Sequence, residues 1–386
     1  MRQADFHRWV RYIGLVCLYS TAGEALAATF SVAPDGSGDF PTIQSAIDSA
    51  MDGDIIELLP GTFRGDGNRE IDFLGKDVVL RSMTDDPATC VIDCEEETFG
   101  LRMIRGESRD AVVRGITITR GREAAFGAVF VFQASPTVEN CRFIGNVAWT
   151  GTSGGAISWE SSAGVIRDCY FEGNWSGLGG GAIFVSFSDG TEILGCTFRG
   201  NVAESAPFGS AGAVMVQQGS PLIEGCLFVD NRVDAGAGAL ECTFSAFPTV
   251  RACTFVGNSG PQCIFSAASS APTVENCIVA FNEGAAIQCQ PGITFSCTDI
   301  FGNPGGNWVS CVTDQAGMNG NPEEDPLFCG PDSDDWTLQA DSPCAPQNSG
   351  GCGLIGALGV GCGPVPVARV SWGGIKSQFS SDPGIR

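Results

Sequence analysis

The stretch Val138-Glu139-Asn140-Cys141-Arg142-Phe143-Ile144-Gly145-Asn146 decides the architecture, because the chain repeats it. Near-copies start at Ile166, Ile193, Ile223 and Val250, and they close on Asn174, Asn201, Asn231 and Asn258. The copy carrying Val274, Cys277 and Asn282 drifts, and Cys297 with Asn303 reads as a last, degenerate one. Successive cysteines lie 28, 27, 30, 27, 24 and 20 residues apart, and the asparagines 28, 27, 30, 27, 24 and 21. Two markers that keep step through insertions of variable length define the coils of a solenoid.

A second motif falls between the first. Gly127-Ala-Val129, Gly155-Ala-Ile157, Gly181-Ala-Ile183, Gly212-Ala-Val214 and Gly238-Ala-Leu240 each open another strand, and Ala285-Ala-Ile287 has Ala in place of the Gly. Pro136, Pro221, Pro248 and Pro272 sit where the Cys strand begins, a place where the missing N–H costs little. Each coil therefore reads as short strands separated by turns, every strand pairing with its counterpart one coil on, about 4.8 Å away. Cys and Phe two apart share a face and point inward, so like residues stack into ladders. The Val or Ile three before the Cys points inward too, and a spacing of three demands a bend between them. The closing Asn is expected at the turn, in left-handed backbone, passing amide hydrogen bonds from coil to coil. The stacked cysteines are expected to pack as small hydrophobes, since parallel side chains seldom meet disulfide geometry.

These motifs carry a resemblance. The Gly-Gly-Ala-Ile elements (Gly154 to Ile157, Gly180 to Ile183) and the Phe-x-x-Asn elements (Phe143 to Asn146, Phe171 to Asn174) resemble repeats of polymorphic outer membrane proteins. More broadly, residues 29–305 resemble the pectin-lyase-like superfamily of right-handed parallel β-helices. The run Asp35-Gly-Ser-Gly-Asp-Phe-Pro-Thr-Ile-Gln-Ser-Ala-Ile47 is similar to the opening segment of that superfamily. The resemblance implies an all-β fold, a single-stranded right-handed parallel β-helix (solenoid) with an N-terminal capping helix. That helix is expected over about Thr42 to Met51, burying Ile43, Ala46 and Ile47; without a cap the first coil exposes a row of unpaired backbone groups.

The organisation that follows is a signal peptide at 1–27, the β-helix at 28–305, an irregular Cys-rich C-terminal cap at 306–364 and a tail at 365–386. Arg2, Arg8 and Arg11, the apolar Tyr12 to Tyr19 and the small-x-small Ala25-Leu26-Ala27 make the leader, so the protein is expected to be extracellular or on the cell surface. Seventeen of the 18 cysteines remain after cleavage, and an odd number leaves at least one thiol free or paired between molecules. Cys311, Cys329, Cys344, Cys352 and Cys362 are spaced as loop staples. The tail holds Ser371-Trp-Gly-Gly-Ile-Lys376 and reads as a last strand or a docking segment.

Without its leader the chain has 18 basic and 42 acidic residues, a net charge of −24. Nucleic acid and anionic membrane surfaces repel such a protein, and no apolar run is long enough for stable membrane insertion. The mature chain has no histidine, since His7 belongs to the leader, and its two lysines, Lys76 and Lys376, lie off the regular coils. Ser-His-Asp and Cys-His catalysis are therefore excluded. The Asp-Phe-Ile-Phe-Gly element of pectin methylesterases, the Asn-Thr-Asp and Gly-His-Gly elements of polygalacturonases and the Trp-Ile-Asp-His element of pectate lyases have no match. Glu160 and Glu241 stand three coils apart, too far to cooperate as a glycosidase pair. Glu95-Glu96-Glu97 and Asp332, Asp334 and Asp335 are either solvated loop charges or carboxylates that could hold calcium, the one cofactor left open.

Alternate positions of the Gly-Ala-Ile strands place Phe130, Phe132, Glu160, Phe184, Met215, Gln217 and Glu241 outward along one stripe, with Trp149 and Trp175 in nearby turns. Aromatics interleaved with amides and carboxylates suit a sugar-binding surface, and a contiguous apolar stripe marks an interaction site unless longer loops cover it as a secondary core. The expected function is binding of a polysaccharide or other cell-surface polymer. A polysaccharide lyase or glycoside hydrolase, and an adhesive or structural stalk, are the alternatives.

Overall fold

The computed structural model describes residues 27–363 apart from 125, 150–152, 205–209 and 268. The expected signal peptide up to residue 26 and the 365–386 tail lie outside the described residues. Among these, three long sheets and a short one are built from parallel strands stacked coil on coil. The first sheet has eleven strands, from Thr29–Val32 through Thr137–Glu139 and Val165–Arg167 to Thr294–Ser296. The second has ten and carries the Phe positions, including Arg142–Ile144 and Tyr170–Glu172. The third holds the Gly-Ala-Ile strands, among them Val129–Phe132, Ile157–Glu160, Ile183–Ser186, Val214–Gly219 and Ala237–Ala246. A fourth, five-stranded sheet runs from Arg122–Glu123 to Arg232–Val233 at the turn between the second and third.

Left-handed residues turn the corners. Between the first and second sheets Asn140, Asp168, Ala252 and Asn276 have φ of 48°, 54°, 51° and 52°. Each stands directly before a ladder Cys, or before its equivalent, and bends the chain so that Val138 and Cys141 both face inward. The asparagines themselves are not left-handed, contrary to the expectation. The residue before each one is, as at Gly145, Gly173 and Gly200, and this is why the motif reads Gly-Asn: the glycine takes the positive φ and the Asn turns inside.

Inside, Asn146, Asn174, Asn201, Asn231, Asn258, Asn282 and Asn303 form a continuous amide ladder. The Asn201 Nδ2 donates to Asn231 Oδ1 at 2.9 Å and to the Phe171 carbonyl at 3.0 Å. Its Oδ1 accepts the Asn174 backbone N–H at 3.0 Å and Asn174 Nδ2 at 2.8 Å. A buried amide is tolerable only when its groups are paired in this way. Beside it Phe143, Phe171, Phe198, Phe228 and Phe255 stack with centroid separations of 4.9, 4.9, 4.8 and 4.5 Å. Cys141, Cys169, Cys196, Cys226, Cys253 and Cys277 are buried free thiols, as expected.

Cys297 does not continue that ladder. Val274 is paired with Phe295, so the ladder position after Cys277 belongs to Thr298, whose hydroxyl accepts the Cys277 N–H. The Cys-to-Asn step had already grown by one residue there. Cys297 instead pairs with Cys352, alongside Cys289–Cys311 and Cys329–Cys362. Cys344, expected as a staple, is a buried thiol donating to Asp299 Oδ2 at 3.2 Å.

At the N-terminus the helix Ile43–Ser49 is opened by a Thr42–Ser45 capping box. It buries Ile43, Ala46 and Ile47 completely in the main core. At the other end Trp308 and Val312 close the last coil over Phe295. The rest of the C-terminal region packs sideways, with Phe328, Trp336, Leu338 and Ile355 covering Val229, Val256, Ile278 and Ala280 on the outer face of the second sheet. It contains a three-stranded sheet of Phe328–Gly330, Asp335–Gln339 and Val360–Cys362, so it is more regular than expected. Replacing Asn201 by Ala removes four buried hydrogen bonds at once. We expect a loss of about 3–5 kcal/mol in guanidinium unfolding, against less than about 1 kcal/mol for an exposed residue such as Ser161→Ala.

Candidate functional site

The register of the third sheet places the stripe residues in two adjacent outward columns. One runs Arg102, Phe130, Ser158, Phe184, Met215, Glu241 and Phe265; the other runs Phe132, Glu160, Ser186, Gln217 and Thr243. The alternation is as the sequence implies, but the surface it forms is divided. Phe184, Met215 and Glu241 are only 2%, 1% and 0% exposed, so they do not form part of an open outward surface. The short strands Ser153–Gly154, Gly179–Gly180 and Ser210–Ala211 fold back over this part of the sheet. Phe184, Ala211 and Met215 form a small second core beneath them. The Gly-Gly-Ala motif makes this close approach: a Cβ on Gly180 would lie 1.9 Å from the Ile183 carbonyl, and one on Gly154 2.6 Å from the Phe184 nitrogen.

Phe130 and Phe132 remain partly exposed, in an aromatic cluster. The Phe126 and Phe130 rings stack at 4.3 Å, Phe130 and Phe132 at 6.1 Å, and Phe99 meets Phe126 edge-on at 5.7 Å. The Arg102 guanidinium lies 5.9 Å from the Phe99 ring and is held by Asp72 at 2.8 Å. Glu160, half-buried, has its carboxyl raised by burial; Gln217 is half-buried as well. Trp149 and Trp175 meet at 5.0 Å beside the fourth sheet, with Arg122 4.7 Å over the Trp149 ring.

Two exposed aromatics escape the alternation rule. Phe187 follows the last residue of Ile183–Ser186 and Phe244 stands in the bulged end of Ala237–Ala246, both at the corner between the third and first sheets, and Phe247 lies just beyond. Strand alternation stops at a corner, so their direction cannot be read from spacing; their only sequence signal is a large apolar residue beside turn-forming Ser.

A groove of about 720 Å³ opens beside the end of the fourth sheet, lined by Asp230, Arg232, Asp234, Ser259 and Glu283 among others. Arg232 pairs with Asp234 at 2.8 Å, and the Ser259 hydroxyl donates to Glu283 at 2.6 Å. Burial raises the Asp230 carboxyl, Arg199 opposes this, and Asp334 and Glu283 add to it. The acidic runs are answered by arginines. Glu95 and Glu97 grip Arg69, Glu96 faces Arg122, and Asp334 grips Arg199. Among the described residues no three His, Cys, Asp or Glu side chains gather as a metal site.

The fold these residues stand on is a parallel β-solenoid. The family model described as "Right handed beta helix region" matches residues 78–205, 104–279 and 209–321. The chain belongs to that family. Among solved structures, pectate lyase Pel9A is similar at 15% identity with a TM-score of 0.52, over 87% of this chain and 97% of that one. Pectin methylesterase from carrot aligns at 13% identity and a TM-score of 0.33, over 71% of this chain and 89% of that one. The first likeness is one of fold. A search of curated protein sequences gives no significant match.

Glu241 offers a test of the covered stripe. Its Oε2 accepts the Ser210 N–H at 3.1 Å, and its Oε1 has no partner among the described residues. Burial pushes its carboxyl up to about 7, against the backbone N–H groups of Ser210 and Ala237. A raised folded-state value means that the fold takes up the proton more readily than the unfolded chain does. The stabilisation is therefore complete below the ordinary value of 4.5 and lost as pH rises through about 7. Glu241→Gln removes this titration. Relative to the parent, the variant should gain roughly 3 kcal/mol between about pH 4 and pH 8, read from urea midpoints. Parallel pH profiles for the two proteins contradict the burial of Glu241.

Proposed function

We propose that the chain is an exported β-helix protein that binds carbohydrate, or another cell-surface polymer, along the outer flank of its third sheet. The observation that carries this reading is the partly exposed Phe126–Phe130–Phe132 stack, continued across the coils by Glu160 and Gln217. Aromatic faces take the apolar face of a sugar ring, and neighbouring amides and carboxylates take its hydroxyls. The many arginines of the N-terminal half are engaged in ion pairs between coils, as at Arg64–Asp93, Arg102–Asp72 and Arg114–Asp85. That leaves little positive charge to hold an anionic chain.

A second reading, a polysaccharide lyase or glycoside hydrolase, is favoured by one feature: the groove where Arg232 meets Asp234, with Asp230 and Glu283 in the same lining. Paired carboxyl groups are what glycoside hydrolysis uses as acid and base. An adhesive stalk would use neither surface.

A polysaccharide panel run on the mature protein with and without calcium separates these readings. Retention without new reducing ends or unsaturated products is expected, and Phe130→Ala should weaken it. Product formation that is lost in Glu283→Gln would overturn the binding reading and assign the groove as an active site.

A further inference from the structure

The corner between the third and first sheets carries one residue per coil in left-handed backbone: Gln133, Ser161, Phe187 and Gln218 at φ 50°, 51°, 51° and 61°, then Phe244 at 54°. The register aligns them, because Phe132, Glu160, Ser186 and Gln217 directly before them are paired strand to strand. A bulky aromatic at positive φ is costly, by roughly 1 kcal/mol or more, and the same corner is turned by Gln or Ser in neighbouring coils. Both rings nevertheless face solvent, Phe187 at 62% and Phe244 at 49% exposure. Neither the backbone nor the core needs them there. An outlier of this kind points towards function.

Phe244 is also aimed by a bulge. Gln217 pairs with Thr243 and Gly219 with Ala246, so two residues on one strand are matched by three on the next. The extra residue leaves Phe244 and Ser245 both in left-handed backbone, at φ 54° and 67°. Bulges re-aim side chains in this way.

Resting on the carbohydrate-binding reading, we propose that this corner is a linear track for an extended, neutral polysaccharide lying parallel to the solenoid axis. Phe187 and Phe244 stack on sugar rings two apart in the chain. The rings are two coils, about 9.6 Å, from one another, which is the length of a disaccharide unit in an extended chain. In a β-linked chain with two-fold repeat, rings i and i+2 present the same face and the ring between presents the opposite one. The corner matches that alternation: Phe187, then Gln218 with an amide for hydroxyls, then Phe244. Neutral rather than acidic sugars fit the electrostatics. Glu160 precedes the corner on its own strand, and Arg109, which reaches the Ala163 and Gly190 carbonyls, is already paired with Glu192 at 2.8 Å.

The test is calorimetric titration of the mature protein with β-1,4-linked gluco-, manno-, xylo- and chito-oligosaccharides from disaccharide to hexasaccharide, with polygalacturonate as the acidic comparison. Affinity should rise about tenfold from disaccharide to trisaccharide, the shortest chain that reaches both rings, and Phe187→Gln and Phe244→Ala should each weaken binding about tenfold. Phe187→Gln places at this corner the residue found one coil on, so it folds as that coil does; unchanged thermal unfolding checks this. Neutral glycans bound equally well by parent and variants overturn the track and leave flank binding standing. Preference for polygalacturonate also overturns the track. No binding to any glycan overturns both the track and the reading beneath it.

Discussion

The rest of this molecule depends on a row of buried asparagine amides. From Asn146 to Asn282 each side chain donates to the amide oxygen of the next asparagine, one coil on. A coil slipped by one residue would leave buried donors and acceptors unpaired, so the ladder fixes register far more sharply than apolar stacking can. Phe and Cys ladders fill the remaining interior and tolerate small shifts. With register fixed on the inside, length variation must go into the outer turns, and the coils vary there from 21 to 30 residues while the ladders stay aligned. The surface that could meet a ligand is thus assembled from turns and corners hung on an invariant interior.

Much of the fold was legible because its determinants are periodic. Cys, Phe and Asn recur at fixed offsets, and the capping helix was implied by the family resemblance of the run from Asp35 to Ile47. The site was less legible for a physical reason. Alternation tells inward from outward on a strand, and it placed Phe130, Phe184 and Glu241 in one column correctly. It does not tell whether another layer lies on the outward face. The doubled glycines at 154–155 and 180–181 were the signal for that layer, since they let backbone fold onto backbone, but they were read as strand starts and as part of a repeat motif. Phe187 and Phe244 were missed because alternation ends at a corner and a bulge changes its phase. Cys297 was misplaced because it stands one residue before the ladder position, which Thr298 fills with the usual five-residue step to Asn303.

The same constraint that builds the interior suits the exterior to a polymer. Identical coils repeat any exposed residue about every 4.8 Å along a straight line, close to the advance per sugar of an extended glycan. A globular surface would have to assemble such a row from unrelated segments. Here one corner position, varied coil by coil, supplies aromatic and amide groups in linear order. The covered stretch of the stripe around Phe184 and Met215 has a different role, packing with Ala211 beneath the short strands that lie beside the fourth sheet.

Hydrogen-exchange mass spectrometry of the mature protein, with and without a neutral β-1,4-linked hexasaccharide, tests this account most directly. The account predicts added protection confined to the corner, in peptides spanning residues 183–190 and 214–247, with the amide ladder unchanged at its already slow exchange. Protection centred on residues 257–261 and 281–284 around the Arg232 groove, with none at the corner, would contradict it.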